Sequence, residues 1–108
     1  MAYEAVHRFA RVSPRKVRPL ADMIRGKFAD EALDILRYQP QRGARLLEKV
    51  LRSALANAED RRAQNLGVLM VTDVRIDSGP MFKRMRPRAR GMSSIIRKRT
   101  AHIHVALE

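Results

Sequence analysis

The sequence predicts an α+β domain. Three windows carry apolar residues at helical spacing, two C-terminal stretches carry the β-branched or alternating pattern of strands, and an unusually long basic connection separates those two stretches. The 108 residues suit a single domain spanning residues 1–108, and a hydrophobic content of 45% supplies a small core. No apolar run approaches the roughly 18 residues of a membrane span. The stretch Met1 to Val12 lacks the apolar segment and small-residue cleavage site of a secretory signal. A soluble intracellular chain without a membrane partner is therefore expected. Cysteine is absent, which excludes disulfides, thiolate metal sites and cysteine nucleophiles together.

In chain order, Tyr3 to Val12 offers an N-terminal strand. Ser13 and Pro14 then read as an N-cap followed by proline at the first helical position, and Gly26 as the left-handed stop after Arg25. Between them Val17, Leu20, Ala21 and Ile24 form the apolar stripe, leaving Arg15, Lys16, Arg18 and Arg25 largely on the remaining surface. Pro19 lies inside this helix and predicts a local bend. Asp30 to Tyr38 predicts a short second helix, with acids in its first turn, Ala32, Leu33, Ile35 and Leu36 on its buried side, and Pro40 beyond its end. From Gln41 to about Asp60, Ala44, Leu47, Val50, Leu51, Ala54, Leu55 and Ala58 recur at three and four, the strongest periodicity in the chain.

Polar Arg61 to Gly67 reads as a loop, and Val68 to Ile76 as a strand. Leu69 and Val71 share one parity while Val74 and Ile76 share the other, which predicts a bulge or strong twist near Thr72 and Asp73. In the final strand Ala101, Ile103, Val105 and Leu107 alternate with Thr100, His102, His104 and Glu108, the pattern of a half-buried strand.

The charge is unevenly placed. Residues 1–27 hold seven basic and two acidic side chains, residues 28–77 eight of each, and residues 78–108 eight basic and one acidic, so the formal net charge of +12 divides into +5, 0 and +7. A balanced middle between two basic ends predicts one polyanion-facing surface assembled from both ends. Between Asp77 and Glu108 there is no acid, and Lys83, Arg84, Arg86, Arg88, Arg90, Arg97, Lys98 and Arg99 place eight cations in 17 residues. Six of these are arginine, whose planar forks match phosphate oxygens and stack on bases, favouring nucleic acid over an acidic protein.

Pairing Val68–Ile76 with Ile95–Leu107 leaves Asp77 to Ser94 as a connection far longer than an ordinary hairpin turn. Gly79-Pro80 marks a turn at its start, Pro87 removes a ladder donor near its middle, and Gly91 follows the densest charge, so extended arms with an irregular tip are expected. An arm of about eight residues reaches ~25 Å at ~3.3 Å per residue, enough to leave the globular body. Such an arm is expected to be mobile until phosphates neutralise it. Phe82 is the only aromatic after Tyr38, so the interleaved stacking platform of single-strand RNA modules is missing. Recognition is expected to rest on phosphates, arginine stacking and the shape of a folded nucleic acid. Neutralising about eight phosphates corresponds to a log-log salt slope of about −6 to −7.

These residues carry a resemblance. The run Asp77-Ser78-Gly79-Pro80, then Lys83-Arg84, Pro87-Arg88-Ala89-Arg90-Gly91 and Lys98-Arg99-Thr100-Ala101-His102-Ile103, closely resembles the C-terminal signature of the ribosomal protein L22 (uL22) family of the large subunit. Ser13-Pro14-Arg15-Lys16-Val17-Arg18 and Ile24-Arg25-Gly26-Lys27 match its N-terminal signature in the expected order, so the likeness covers essentially the whole chain. Met92 and Ser93 stand where the family usually has arginine and alanine, Ser78 where glutamate is more common, and Ala101 where serine is usual.

The resemblance implies three helices packed on a three-stranded antiparallel sheet with a long extended β-hairpin, residues 78–95 being the protruding loop. It implies a structural, non-enzymatic constituent of the cytoplasmic large ribosomal subunit that binds 23S-type rRNA, supports early assembly and contacts neighbouring large-subunit proteins. Its hairpin would line the nascent-peptide exit tunnel near the constriction and the macrolide site, facing the nascent polypeptide. With the charge pattern, the resemblance assigns RNA contact to Arg8, Arg11, Arg15, Lys16, Arg18, Lys83, Arg84, Arg86, Arg88, Arg90, Arg97, Lys98, Arg99 and His102. It assigns the tunnel tip to Lys83, Arg84, Met85, Arg86, Pro87, Arg88, Ala89, Arg90 and Gly91.

Other readings are weaker. His102 and His104 share one side of a strand, as two metal ligands would, but no third ligand accompanies them and cationic neighbours oppose a metal. Asp30, Glu31 and Asp34 stand where a helix N-terminus favours negative charge, which explains them without catalysis. There is no glycine loop to cradle a phosphate, and no cofactor, metal or homo-oligomer is expected. The densest charge lies in a proline-containing loop and not on an apolar-faced helix, which disfavours a membrane surface. Phosphate attraction alone does not separate DNA from RNA; the resemblance decides for RNA.

Overall fold

The computed structural model describes residues 2–63 and 66–108. The chain runs β1 (Tyr3–Ala10), α1 (Pro14–Ile24), α2 (Ala29–Arg37), α3 (Arg42–Asp60), a short turn of helix at Leu66–Val68, β2 (Val71–Ser78), β3 (Phe82–Pro87), a helical turn at Ala89–Gly91, β4 (Ser93–Lys98) and β5 (Ala101–Leu107). It is an α+β fold whose strands pair antiparallel. No helix among the described residues is long and apolar enough to cross a membrane.

Ser13 occupies the N-cap of α1, but its hydroxyl makes no capping bond; only its carbonyl is used, by the Lys16 amide at 3.1 Å. Pro14 supplies the fixed φ that starts the helix. The helix continues through Pro19, which lies on the exposed side. Val17, Leu20, Ala21 and Ile24 are buried as their spacing requires, and Gly26, at φ 82°, ends the run. α2 opens with Asp30 and Glu31 in its first turn. α3 buries Ala44, Leu47, Val50, Leu51, Ala54 and Ala58, with Leu55 half-buried. Each fully buried leucine or isoleucine in this core contributes about 1.5–3 kcal/mol. Glu48 is the one buried charged side chain among the described residues; it accepts from Arg45 at 2.7 Å and Arg52 at 2.8 Å. Arg45 also donates to the carbonyls of Arg37 and Gln39, tying the end of α2 to α3.

Gln64 and Asn65, in the expected 61–67 loop, lie outside the described residues, as does Met1. The strand expected at Val68–Ile76 begins later and runs further. Val68 is in the short turn, and the backbone around Leu69 and Met70 is used by other partners: the Ala29 amide donates to the Leu69 carbonyl, and Met70 exchanges two bonds with Glu108.

Strand order in the main sheet is β1-β5-β2. The bulge expected near Thr72 is present: Val71 faces Leu107 and Asp73 faces Ala106, leaving Thr72 extra, with its hydroxyl donating to the Ala106 carbonyl at 3.3 Å. That one-residue shift carries Val71, Val74 and Ile76 all into the core. A second bulge, which alternation did not announce, sets Arg8 and Phe9 opposite His102. α3 packs on β1 and β5, α1 on β2, and α2 against both other helices.

The continuous strand expected from Ile95 to Leu107 is broken at Arg99–Thr100 into β4 and β5. Thr100 is buried instead of facing solvent with His102. The extended hairpin expected around residues 78–95 is a two-stranded ribbon of β3 and β4, spanning 82–98 and paired from Phe82↔Lys98 to Pro87↔Ser93. Pro87 ends the ladder, and Arg90 (φ 61°) with Gly91 (φ 71°) reverses the chain. No ribbon residue belongs to the core. The molecule measures 64 × 24 × 16 Å, with a radius of gyration of 16.9 Å against about 13 Å for a compact chain of this length.

Candidate nucleic-acid interface

The two basic ends meet at the root of the ribbon. A cleft of about 220 Å³ is lined by Ser13, Pro14, Arg15 and Arg18 from the start of α1, by Ser78, Gly79 and Met81 after β2, and by Arg99 and Thr100 before β5. Arg15 and Arg18 are three residues apart on one helix face. Arg18 is tethered by a bond from its guanidinium to the Ile76 carbonyl at 3.3 Å, which fixes α1 against β2. Arg15 and Arg18 thus converge on one concavity with Arg99 from the other end of the chain, and none of the three has an acidic partner among the described residues. Arg8, Arg11 and Lys16 are exposed outside this cleft.

Cross-strand register divides the ribbon into two faces. One carries Phe82, Arg84 and Arg86 opposite Lys98, Ile96 and Ser94; the other carries Lys83, Met85 and Pro87 opposite Arg97, Ile95 and Ser93. The Arg84 guanidinium lies 5.9 Å from the centroid of the Phe82 ring, within cation–π range. Lys83 faces Arg97 directly, a like-charge pair that destabilises a free sheet and is relieved by an anion. None of the ribbon's cations has an acidic partner among the described residues. The stretch read as one tip divides in place: Lys83 to Pro87 form an arm, and only Arg88 to Gly91 belong to the turn, where Arg88 Nε donates to Ser94 Oγ at 3.0 Å.

His102 is half-buried, and its Nδ1 accepts the Phe9 amide at 3.1 Å. His104 Nε2 lies 3.2 Å from Asp77 Oδ2, a pair that is ionic only when the imidazole is protonated. The two histidines, read together as sharing one side of a strand, therefore engage separate partners.

Sequence reasoning missed Phe9 and the structural cations. Phe9 is exposed at φ 58° on the β1 bulge, a placement that the local residue pattern does not mark. Arg25 bonds Asp22 and the Val74 carbonyl, each at 2.7 Å, so part of the N-terminal charge secures the fold.

A family model described as ribosomal protein L22p/L17e matches residues 5–108. The large ribosomal subunit protein uL22 of Rhodopirellula baltica is 57% identical over 110 residues, covering 97% of this chain and 92% of that one. The protein of the same name from Caldicellulosiruptor saccharolyticus is 51% identical over 104 residues, covering 96% and 85%. That from Geobacter sulfurreducens is 52% identical over 99 residues, covering 92% and 89%.

Proposed function

Since this chain belongs to the ribosomal protein L22p/L17e family, a structural and non-enzymatic component of the large ribosomal subunit, we propose that it binds large-subunit rRNA through the arginine cleft and the ribbon, supports early assembly, and lines the nascent-peptide exit tunnel with the ribbon. The observation that carries this reading is the convergence of Arg15, Arg18 and Arg99 on one cleft at the foot of a ribbon whose cations have no acidic partner among the described residues. An array of cations without counter-charge is stabilised by releasing condensed ions from a polyanion. The body docks, and the 64 Å long axis lets the ribbon reach inward.

The same geometry suits a tunnel wall. A two-stranded ribbon carrying cations on both faces, with Met85, Met92 and Ile95 exposed, offers phosphate contacts beside apolar surface for a passing nascent chain. Neighbouring large-subunit proteins are the remaining expected partners.

Co-sedimentation of the full chain with large subunits over a series of salt concentrations tests the assignment. The expected result is retention in the subunit fraction, with binding to rRNA weakening at a log-log slope of about −6 to −7. Nucleotide footprints should concentrate at the tunnel wall and shift on charge reversal at Arg88 and Arg90. A chain that partitions away from large subunits overturns the reading.

A further inference from the structure

Phe9 is 59% exposed yet held in the left-handed backbone region at φ 58°, a conformation that a bulky side chain adopts only when its surroundings impose it. The cause is local. Two residues of β1, Arg8 and Phe9, oppose the single residue His102 of β5, and the Phe9 amide donates to His102 Nδ1 at 3.1 Å. The rings meet at 85° with centroids 5.0 Å apart. An aromatic side chain is thus displayed at the surface with its backbone tethered and its ring steadied, although no core takes it in.

Its position gives the display a use. The His102 ring lies against Gly79, where an added Cβ would stand 3.3 Å from Nε2. Gly79 in turn lines the cleft of Arg15, Arg18 and Arg99. Phe9 is therefore one imidazole away from the arginine cleft, and exposed Arg8 and Arg11 flank it in sequence.

We propose that the Phe9 ring is a stacking site for one unpaired nucleobase of the RNA whose phosphates occupy the Arg15, Arg18 and Arg99 cleft, with His102 as its positioning residue. The inference rests on the RNA-binding reading above. A single stacked base sets register on a folded RNA without reading sequence, because every base presents a π face.

The chain has no tryptophan, so Phe9→Trp keeps a π face and introduces a single indole reporter. With a protein-free large-subunit rRNA transcript as the probe, this variant should bind about as tightly as the native chain. Its indole emission should be quenched in step with binding. Phe9→Leu, which keeps apolar bulk but loses the π face, should bind roughly 5- to 150-fold more weakly. The loss should be the same factor at low and high salt, because no phosphate contact is removed. Should the Phe9→Leu variant melt early, the emission readout of Phe9→Trp still decides. Unchanged indole emission while RNA binds overturns the proposal, as does native affinity in a folded Phe9→Leu variant; both leave the RNA-binding reading intact. Failure of the native chain to bind the transcript overturns that reading, and the stacking site with it.

Discussion

Thr100 donates its hydroxyl to the Pro80 carbonyl at 2.7 Å, closing the root of the ribbon. The Gly79 amide donates to the Thr100 carbonyl at 2.9 Å, so the strand leaving the body and the strand re-entering it are bonded in both directions. This is the point at which the three-stranded sheet gives way to the ribbon. The arrangement turns Thr100 inward, to 5% exposure, and holds the adjacent Arg99 at the cleft. The body and the ribbon are thereby joined by a clamp, which lets docking of one orient the other.

Thr100→Val keeps the shape of the side chain and removes the donor. One partly buried hydrogen bond is lost, with an expected cost of about 1 kcal/mol. Denaturant unfolding should show that loss, and amide exchange at Gly79 should accelerate relative to the core amides of β5.

Gly79→Ala meets the same clamp from the other side. The added methyl overlaps Thr100 Oγ1 and presses on the His102 ring, so the hydroxyl must swing away from Pro80. The expected cost is about 1–3 kcal/mol. In a Thr100→Ala background the overlap with Oγ1 is gone and only the press on the His102 ring remains, so the second substitution should cost less than it does alone. A four-protein cycle of unfolding measurements reads this as a coupling energy, which should be at least ~0.5 kcal/mol.

The helices and the bulge at Thr72 were legible because burial imprints a period: apolar residues every three or four positions in α3, and a parity change between Val71 and Val74. The bulge at Arg8 and Phe9 left no such imprint, since the buried residues on either side of it are Ala5 and Ala10, too small to stand out from their neighbours. The break at Arg99–Thr100 depends on Gly79 and Pro80, about twenty residues earlier, and local pattern does not register partners at that distance. The residue pattern gave the ribbon extended arms but no register, because β3 is exposed throughout and exposed strands need no alternation. The cations at both ends were visible in the charge count, but a sequence does not say whether an arginine meets a phosphate or, like Arg25, a carbonyl.

Removing residues 82–98 should leave a cooperatively folded body, because none of them enters the hydrophobic core. Cutting at these bounds matters, since a deletion ending at Ser94 would leave the rest of β4 without its partner strand. Seven cations go with the ribbon. The truncated body should still bind rRNA, with a salt slope shallower by about five to six. Thermal unfolding followed by binding titrations at three or more salt concentrations checks both halves of this expectation.

The arginines should separate into two classes when stability and salt dependence are measured on the same variants. Arg45 bonds Glu48 and the carbonyls of Arg37 and Gln39. Arg45→Gln should therefore lower stability by about 1–2 kcal/mol, a figure discounted for the half-exposed ion pair, and leave the salt slope unchanged. Arg99 is exposed with no acidic partner among the described residues. Arg99→Gln should leave stability within about 0.5 kcal/mol and make the slope shallower by about 0.7–0.9. Arg18 belongs to both classes, since it lines the cleft and bonds the Ile76 carbonyl, so Arg18→Gln should shift both quantities. A shallower slope in Arg45→Gln at native stability would move the α2–α3 junction into the RNA interface, because only a lost phosphate contact changes the number of ions released.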